Sequence, residues 1–279
     1  MTAAKKKSTA VAEKKEELPA TEYDYGEDAG GGFENQTKDD YSIPFIGLLQ
    51  ALSPQVVDET IPGARPGMFV NTVTEDLFVG HDGFSFVPCH TEHVFGEWVP
   101  RNQGGGLAGI HQPDAQVVLD AIERSEKFGK YSTPDGNELV ETFYTYGIAV
   151  TENGLEMAVI TFKSTGIKAY RAWQTKARNL KLKRADGSKY TPPLWSHMYR
   201  ITSFKDSNPE GDFFNIKVRF DGENAAACRL DPTSEEGAEA KAFRDMIKSG
   251  IAKADFEKQN ATGEGQAGGD DMEGEDIPF

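Results

Sequence analysis

The segment from Thr161 to Lys205 combines two residue types that suit contact with a single-stranded nucleic acid. It holds 11 basic residues and one acidic residue, Asp186, although the whole chain carries a formal net charge of -15. Basic side chains neutralise backbone phosphates, and unpaired bases stack on aromatic rings at roughly 1–3 kcal/mol per base. The bases of a duplex are paired and stacked, so a protein that binds a duplex does not need such rings. The segment therefore predicts a groove for a single strand.

The candidate contact residues are ten of the 11 cations of this segment and four of its rings. They are Lys163, Lys168, Arg171, Trp173, Lys176, Arg178, Lys181, Lys183, Arg184, Lys189, Tyr190, Trp195, Tyr199 and Arg200. A second interpretation stays open, because Ile167, Tyr170, Trp173, Ala177 and Leu180 recur close to helical spacing. These residues would then form the buried side of an amphipathic helix, with the cations on its solvated side.

The last ten residues, DDMEGEDIPF, have a composition suited to docking on another protein. Five acids are followed by an apolar tripeptide that ends in an aromatic residue. The terminal ring can enter an apolar pocket, while the acids steer encounter with a basic surface. Proline stiffens the segment and lowers the entropy cost of ordering it. The candidate partner-binding residues are Asp270, Asp271, Glu273, Glu275, Asp276, Ile277, Pro278 and Phe279.

This C-terminal tip resembles that of bacterial single-stranded DNA-binding proteins, in which a linker ends in an acidic peptide closing with Asp-Ile-Pro-Phe. Here Asp276-Ile277-Pro278-Phe279 stands in the same place after a Gly-rich stretch. The resemblance implies that these four residues recruit replication or recombination proteins such as a polymerase, helicase, primase or nuclease.

The bulk of the chain resembles the larger single-stranded DNA-binding proteins of tailed bacteriophages. That resemblance implies a protein that coats and protects single-stranded DNA in replication, recombination and repair, in the cytoplasm of a bacterial host. A homo-oligomer is compatible with it. The alternative is a phage recombination annealase or mediator, which binds single strands and promotes their pairing.

Hydrophobic patterning predicts the elements that position these residues. Residues 1–40 and 256–279 are poor in large apolar groups and are expected to be disordered. Residues 41–255 alternate hairpin signals with helical stretches. They are expected to form a mainly β, OB-fold-like antiparallel barrel, elaborated by two or three helices, that binds the single strand.

Other classes of function find little support in the sequence. Cys89 and Cys228 are isolated from each other, which is typical of reduced thiols in an intracellular protein. PCHTEH at residues 88–93 offers fewer than the four ligands of a structural zinc site. The glycine run at residues 104–109 lacks the Lys-Ser/Thr of a phosphate loop. We therefore expect no metal, no cofactor, no enzymatic activity and no membrane association.

Overall fold

The computed structural model describes residues 31–32, 43–209 and 211–250. The chain divides into two units, residues 1–36 and 37–279, and every element below belongs to the second. Apart from residues 31–32, the two segments predicted to be disordered lie outside the described residues, as does the whole C-terminal tip.

Twelve strands and four α-helices make up the described part of the chain. The strands are β1 Ile46–Leu48, β2 Phe69–Asn71, β3 Leu77–Phe78, β4 Phe84–Trp98, β5 Leu107–His111, β6 Tyr131–Ser132, β7 Glu138–Thr151, β8 Gly154–Lys163, β9 Leu182–Lys183, β10 Lys189–Tyr190, β11 Tyr199–Asn208 and β12 Gly211–Phe220. The helices are α1 Pro54–Val57, α2 Gln116–Arg124, α3 Gly166–Asn179 and α4 Glu235–Lys248. The prediction of a mainly β, antiparallel fold is confirmed, and a short fourth helix is added to the two or three expected.

The principal sheet is antiparallel and is built on two long neighbouring strands, β4 and β7. Its path runs β12-β11-β4-β7, and β8 pairs with the other edge of β7. β5 pairs with the second half of β4 beyond β11, and β6 pairs with the start of β7. Taken in chain order, the five long strands β4, β7, β8, β11 and β12 are thus arranged 5-4-1-2-3, the order of an OB-type barrel.

The small antiparallel sheet β1-β2-β3 lies between the two ends of this path. On one side Phe45 forms a parallel bridge with Val159 of β8. On the other side the amide of Gln50 donates to the carbonyl of Phe214 in β12 and accepts from its N–H, each at 2.9 Å. One glutamine side chain thus supplies the pair of hydrogen bonds that a neighbouring strand would give, and the strands close into a ring.

Alternation along the strands fills the inside of this ring with aromatic and branched side chains. Phe84 and Phe86 of β4 face inward and meet edge-on, with ring centroids 6.2 Å apart. Gly147 of β7 is in register with Pro88 of β4, and a Cβ at this position would stand 2.4 Å from the Phe86 ring. The sequence needs a glycine there because the ring occupies the space of a side chain.

Two helices cover different parts of the barrel. α3 packs against β8 and β12 and inserts Tyr170 and Trp173 into the inner core. α4 packs on the outer face of β4 and β7, where Ala240 and Phe243 are fully buried. It begins at Ser234, whose hydroxyl accepts from the Gly237 N–H at 3.2 Å, which caps the helix.

Candidate nucleic-acid interface

Helix α3 separates the aromatic and basic residues of the predicted binding segment onto opposite sides. Ile167, Tyr170, Trp173 and Ala177 are buried, whereas Lys168, Arg171, Lys176 and Arg178 are exposed. The helical spacing therefore produces a buried seam with a cationic solvent face, which is the second of the two interpretations that the sequence left open.

Two of the four candidate stacking rings belong to the core. Trp173 is 4% exposed and meets Tyr199, 2% exposed, edge-on at a centroid distance of 5.5 Å. Burial raises the pKa of Tyr199 to about 12. A nucleobase has no access to either ring in this conformation, and the assignment of Trp173 and Tyr199 as base-contacting residues stays a prediction.

The other two rings differ in their surroundings. Trp195 is half-buried and packs against the apolar cluster beneath α4. Tyr190 lies on β10 and is half-buried, and the guanidinium of Arg184 lies 4.6 Å from the centre of its ring. Among the four candidates, Tyr190 is the ring with an exposed cation over its face in the described part of the chain.

Three of the predicted cations interact with other side chains of the protein. Arg171 pairs with Glu141 of β7 at 3.1 Å, and Arg200 pairs through Nε with Asp221 at 2.8 Å. The ammonium of Lys163 lies 5.9 Å from the centre of the Trp98 ring. Each contact fixes the direction of its cation, and the two ion pairs also neutralise part of the charge of Arg171 and Arg200.

The short hairpin β9–β10 carries the most concentrated positive charge. Lys183 and Lys189 face each other directly in its register, and Lys181 and Arg184 flank them. Like charges in this position destabilise a strand pair. The acid of the hairpin, Asp186, accepts the Ser188 N–H at 2.8 Å and so helps to hold the turn. In the described part of the chain, no carboxylate forms an ion pair with Lys183 or Lys189.

The same holds for three of the four exposed cations of α3, the exception being Arg171. For Lys168, Lys176 and Arg178 there is no carboxylate partner among the described residues. Together with the four basic residues of the hairpin they make seven of the eight exposed cations between residues 168 and 189, the eighth being the ion-paired Arg171. Their unneutralised charge suits a run of phosphates, and we call this group the α3–hairpin surface.

A different surface of the barrel is closed. The outer sides of β4, β7 and β8 correspond to the face on which OB-folds bind oligonucleotides. Here Val87, Tyr144 and Val159 on that face are buried in one cluster with Phe243 of α4. A strand that binds this conformation of the protein has to use another surface.

Cys89, His90 and His93 do not converge on one point. Cys89 is buried, and desolvation raises the pKa of its thiol. His90 lies 3.6 Å from Glu92, whereas His93 stacks on Phe143 at 4.3 Å. Within the described residues there is no group of three or more His, Cys, Asp or Glu side chains placed to hold a metal ion.

Two basic residues outside the predicted set also lie on the surface. Lys217 and Arg219 alternate along β12, and both are exposed. Their spacing, in the sequence IKVRF, is the period of a strand with one wet face. This alternation could have identified the two residues from the sequence. They were missed because they lie outside Thr161–Lys205, the segment with the largest excess of basic residues.

Comparison with known proteins gives one match. No curated protein and no solved structure matches the chain significantly. No helix in the described ranges is long and apolar enough to cross a membrane. The family model described as "Pam3 phage gp34-like protein" matches residues 12–253, which is most of the chain. The chain therefore belongs to this family of bacteriophage gp34-like proteins.

Proposed function

We propose that this phage protein is a non-enzymatic, sequence-tolerant single-stranded DNA-binding protein that acts in the cytoplasm of the bacterial host. The observation that carries the proposal is the α3–hairpin surface, where seven exposed cations lie between residues 168 and 189 without an ion-paired carboxylate in the described chain. Tyr190 offers a ring beside them.

The fold limits where a single strand can bind, because α4 covers the face that OB-folds use for oligonucleotides. Barrels of the OB type bind oligonucleotides through a groove and its flanking loops. The β9–β10 hairpin lies in the connection between two barrel strands, β8 and β11, together with α3. The positive charge is therefore carried by a structured connection of the barrel and not by an isolated tail.

Binding to labelled oligo-dT, compared with a duplex of equal length, tests the proposal. Fluorescence anisotropy is the appropriate measurement, because Trp98 and Trp173 are 5% and 4% exposed and their emission is expected to respond little to DNA. We expect much tighter binding of the single strand, weakening as salt is raised. Equal affinity for both forms of DNA would contradict the proposal.

The second part of the proposed function is recruitment of replication or recombination proteins by the C-terminal tip. It rests on the acidic sequence ending in Ile277-Pro278-Phe279. Removing these three residues is expected to leave the fold and DNA affinity intact and to abolish binding to the partner. Pull-downs from infected cells with the full chain and the truncated chain, compared by mass spectrometry, test this. An unchanged set of partners would refute it.

A further inference from the structure

The outer side of the β11–β12 hairpin places two arginines directly opposite each other. The register pairs Arg200 with Arg219, and the next position on the same side pairs Thr202, which is buried, with the exposed Lys217. On its other side Arg200 is in register with Ser85 of β4. The row therefore runs across three neighbouring strands, Ser85-Arg200-Arg219, and carries two positive charges side by side.

One carboxylate lies at this row and satisfies only one of the arginines. Asp221 accepts the Nε–H of Arg200 at 2.8 Å through one oxygen and the hydroxyl of Ser85 through the other. The side chain of Asp221 is 14% exposed, and the Ser85 hydroxyl of the neighbouring strand fixes its position. Within the described residues, Arg219 and Lys217 have no carboxylate partner.

An unneutralised cross-strand pair of like charges costs stability unless an anion occupies the space between them. On this side of the hairpin Arg200, Lys217 and Arg219 stand against two carboxylates, Asp221 and, towards the far end of β11, Asp206, which leaves a formal charge of +1. Asp221 fixes the direction of Arg200 and so reduces the entropy that the side chain would lose on binding a phosphate.

An aromatic ring completes the face. Phe204 follows Arg200 by four residues along β11, so both project from the same side of the strand. Phe204 is 41% exposed, so one part of its ring is open to a ligand. The spacing along a strand places it roughly 13 Å from Arg200. Cations beside an exposed ring are the combination that single strands require.

We propose that the outer face of the β11–β12 hairpin is a second binding surface for single-stranded DNA, in addition to the α3–hairpin surface. Arg219 and Lys217 contact phosphates, Arg200 is the prepositioned cation, and Phe204 stacks on a base. This inference rests on the proposed function and adds to it a separate set of residues, none of which contributes to the α3–hairpin surface.

The test is a set of matched variants of the full chain, titrated against labelled oligo-dT by anisotropy at several salt concentrations. Lys217→Ala/Arg219→Ala removes two phosphate contacts, and its control, Lys241→Ala/Lys248→Ala, removes two exposed lysines from α4. We expect the first variant to bind about 25-fold more weakly in 0.1 M salt, with a log–log salt slope smaller by about 1.4. The control is expected to keep wild-type affinity.

A second pair of variants tests the ring. Phe204→Ala is expected to lose about tenfold in affinity without a change in salt slope, because stacking displaces no counterion. Phe128→Ala is its control, since Phe128 is 65% exposed in another part of the chain. Circular dichroism melting should show all four variants folded like the wild type, because every substituted side chain is exposed.

The outcomes separate this inference from the proposed function. If the wild type binds oligo-dT and Lys217→Ala/Arg219→Ala binds as tightly as its control, the second surface is refuted and the proposed function stands. If the wild type shows no affinity for oligo-dT, both are refuted. An equal loss in the variant and in its control would also overturn the second surface, because it would show a general charge effect.

Discussion

The facing lysines of the β9–β10 hairpin allow a prediction in which DNA affinity and protein stability move differently. Lys183→Ala/Lys189→Ala removes two like charges that oppose each other without an ion-paired carboxylate in the described chain. If both lysines contact phosphates, the salt slope for a single strand should fall by about 0.7 for each, or about 1.4 in all.

That slope fixes the size of the effect at each salt concentration. Taking 1 M salt as the reference at which counterion release gives no advantage, affinity falls by about 25-fold in 0.1 M salt and by about fivefold in 0.3 M salt. Removing a like-charge cross-strand pair relieves up to about 1 kcal/mol of repulsion. The melting temperature should therefore stay constant or rise slightly while DNA binding weakens.

Anisotropy titrations with oligo-dT and a thermal melt of the same samples check both halves of this prediction. Lys241→Ala/Lys248→Ala is again the matched control, because it changes the net charge equally. An unaltered affinity would refute the role of the hairpin. A loss of the same size at every salt concentration, or a lower melting temperature, would show that the lysines act on the fold and not on phosphates.

Three further predictions follow from the charges and the packing. Deleting residues 256–279, which carry seven acids and one base, should raise affinity for single strands most at low salt, because a tethered acidic tail competes with DNA; an unchanged affinity at every salt concentration would exclude that competition. Hydrogen bonding from the Asn137 amide is the main cause that lowers the pKa of Glu97. The ionised carboxylate therefore stabilises the fold at any pH above the ordinary pKa of a glutamate, and this stabilisation is lost as the pH falls through the lowered pKa. Glu97→Gln should therefore reduce the free energy of unfolding at pH 7 and converge with the wild type in acid, whereas a deficit independent of pH would contradict this. Gly147→Ala should lower stability by roughly 1–3 kcal/mol in urea unfolding, because the new methyl group collides with the Phe86 ring; wild-type stability would show that the barrel can shift to accept it.

Local patterns in the sequence determined much of the architecture. The helical spacing of Ile167, Tyr170, Trp173 and Ala177 predicted α3, and burial of this side was one of the two interpretations that the spacing left open. Alternation and turn residues specified the β7–β8 and β11–β12 hairpins, whose partners are close in the chain. Charge counting located the seven exposed cations of the α3–hairpin surface. All of these depend on the periods of helices and strands, which act between near neighbours in sequence.

Contacts between residues distant in sequence were decided only by the tertiary structure. Glu141 lies 30 residues from Arg171 and Asp221 lies 21 residues from Arg200, yet each carboxylate neutralises the arginine that it meets. The sequence alone is compatible with an exposed Tyr199 ring on a strand. In the structure Trp173 packs against this ring and buries it. The pattern of β4 and β7 alone would leave their outer face open to a ligand. In the structure α4, which lies about 90 residues further along the chain than β7, covers this face. A sequence pattern states that a residue needs a partner, but burial and pairing energies depend on which distant group the fold brings within a few ångströms.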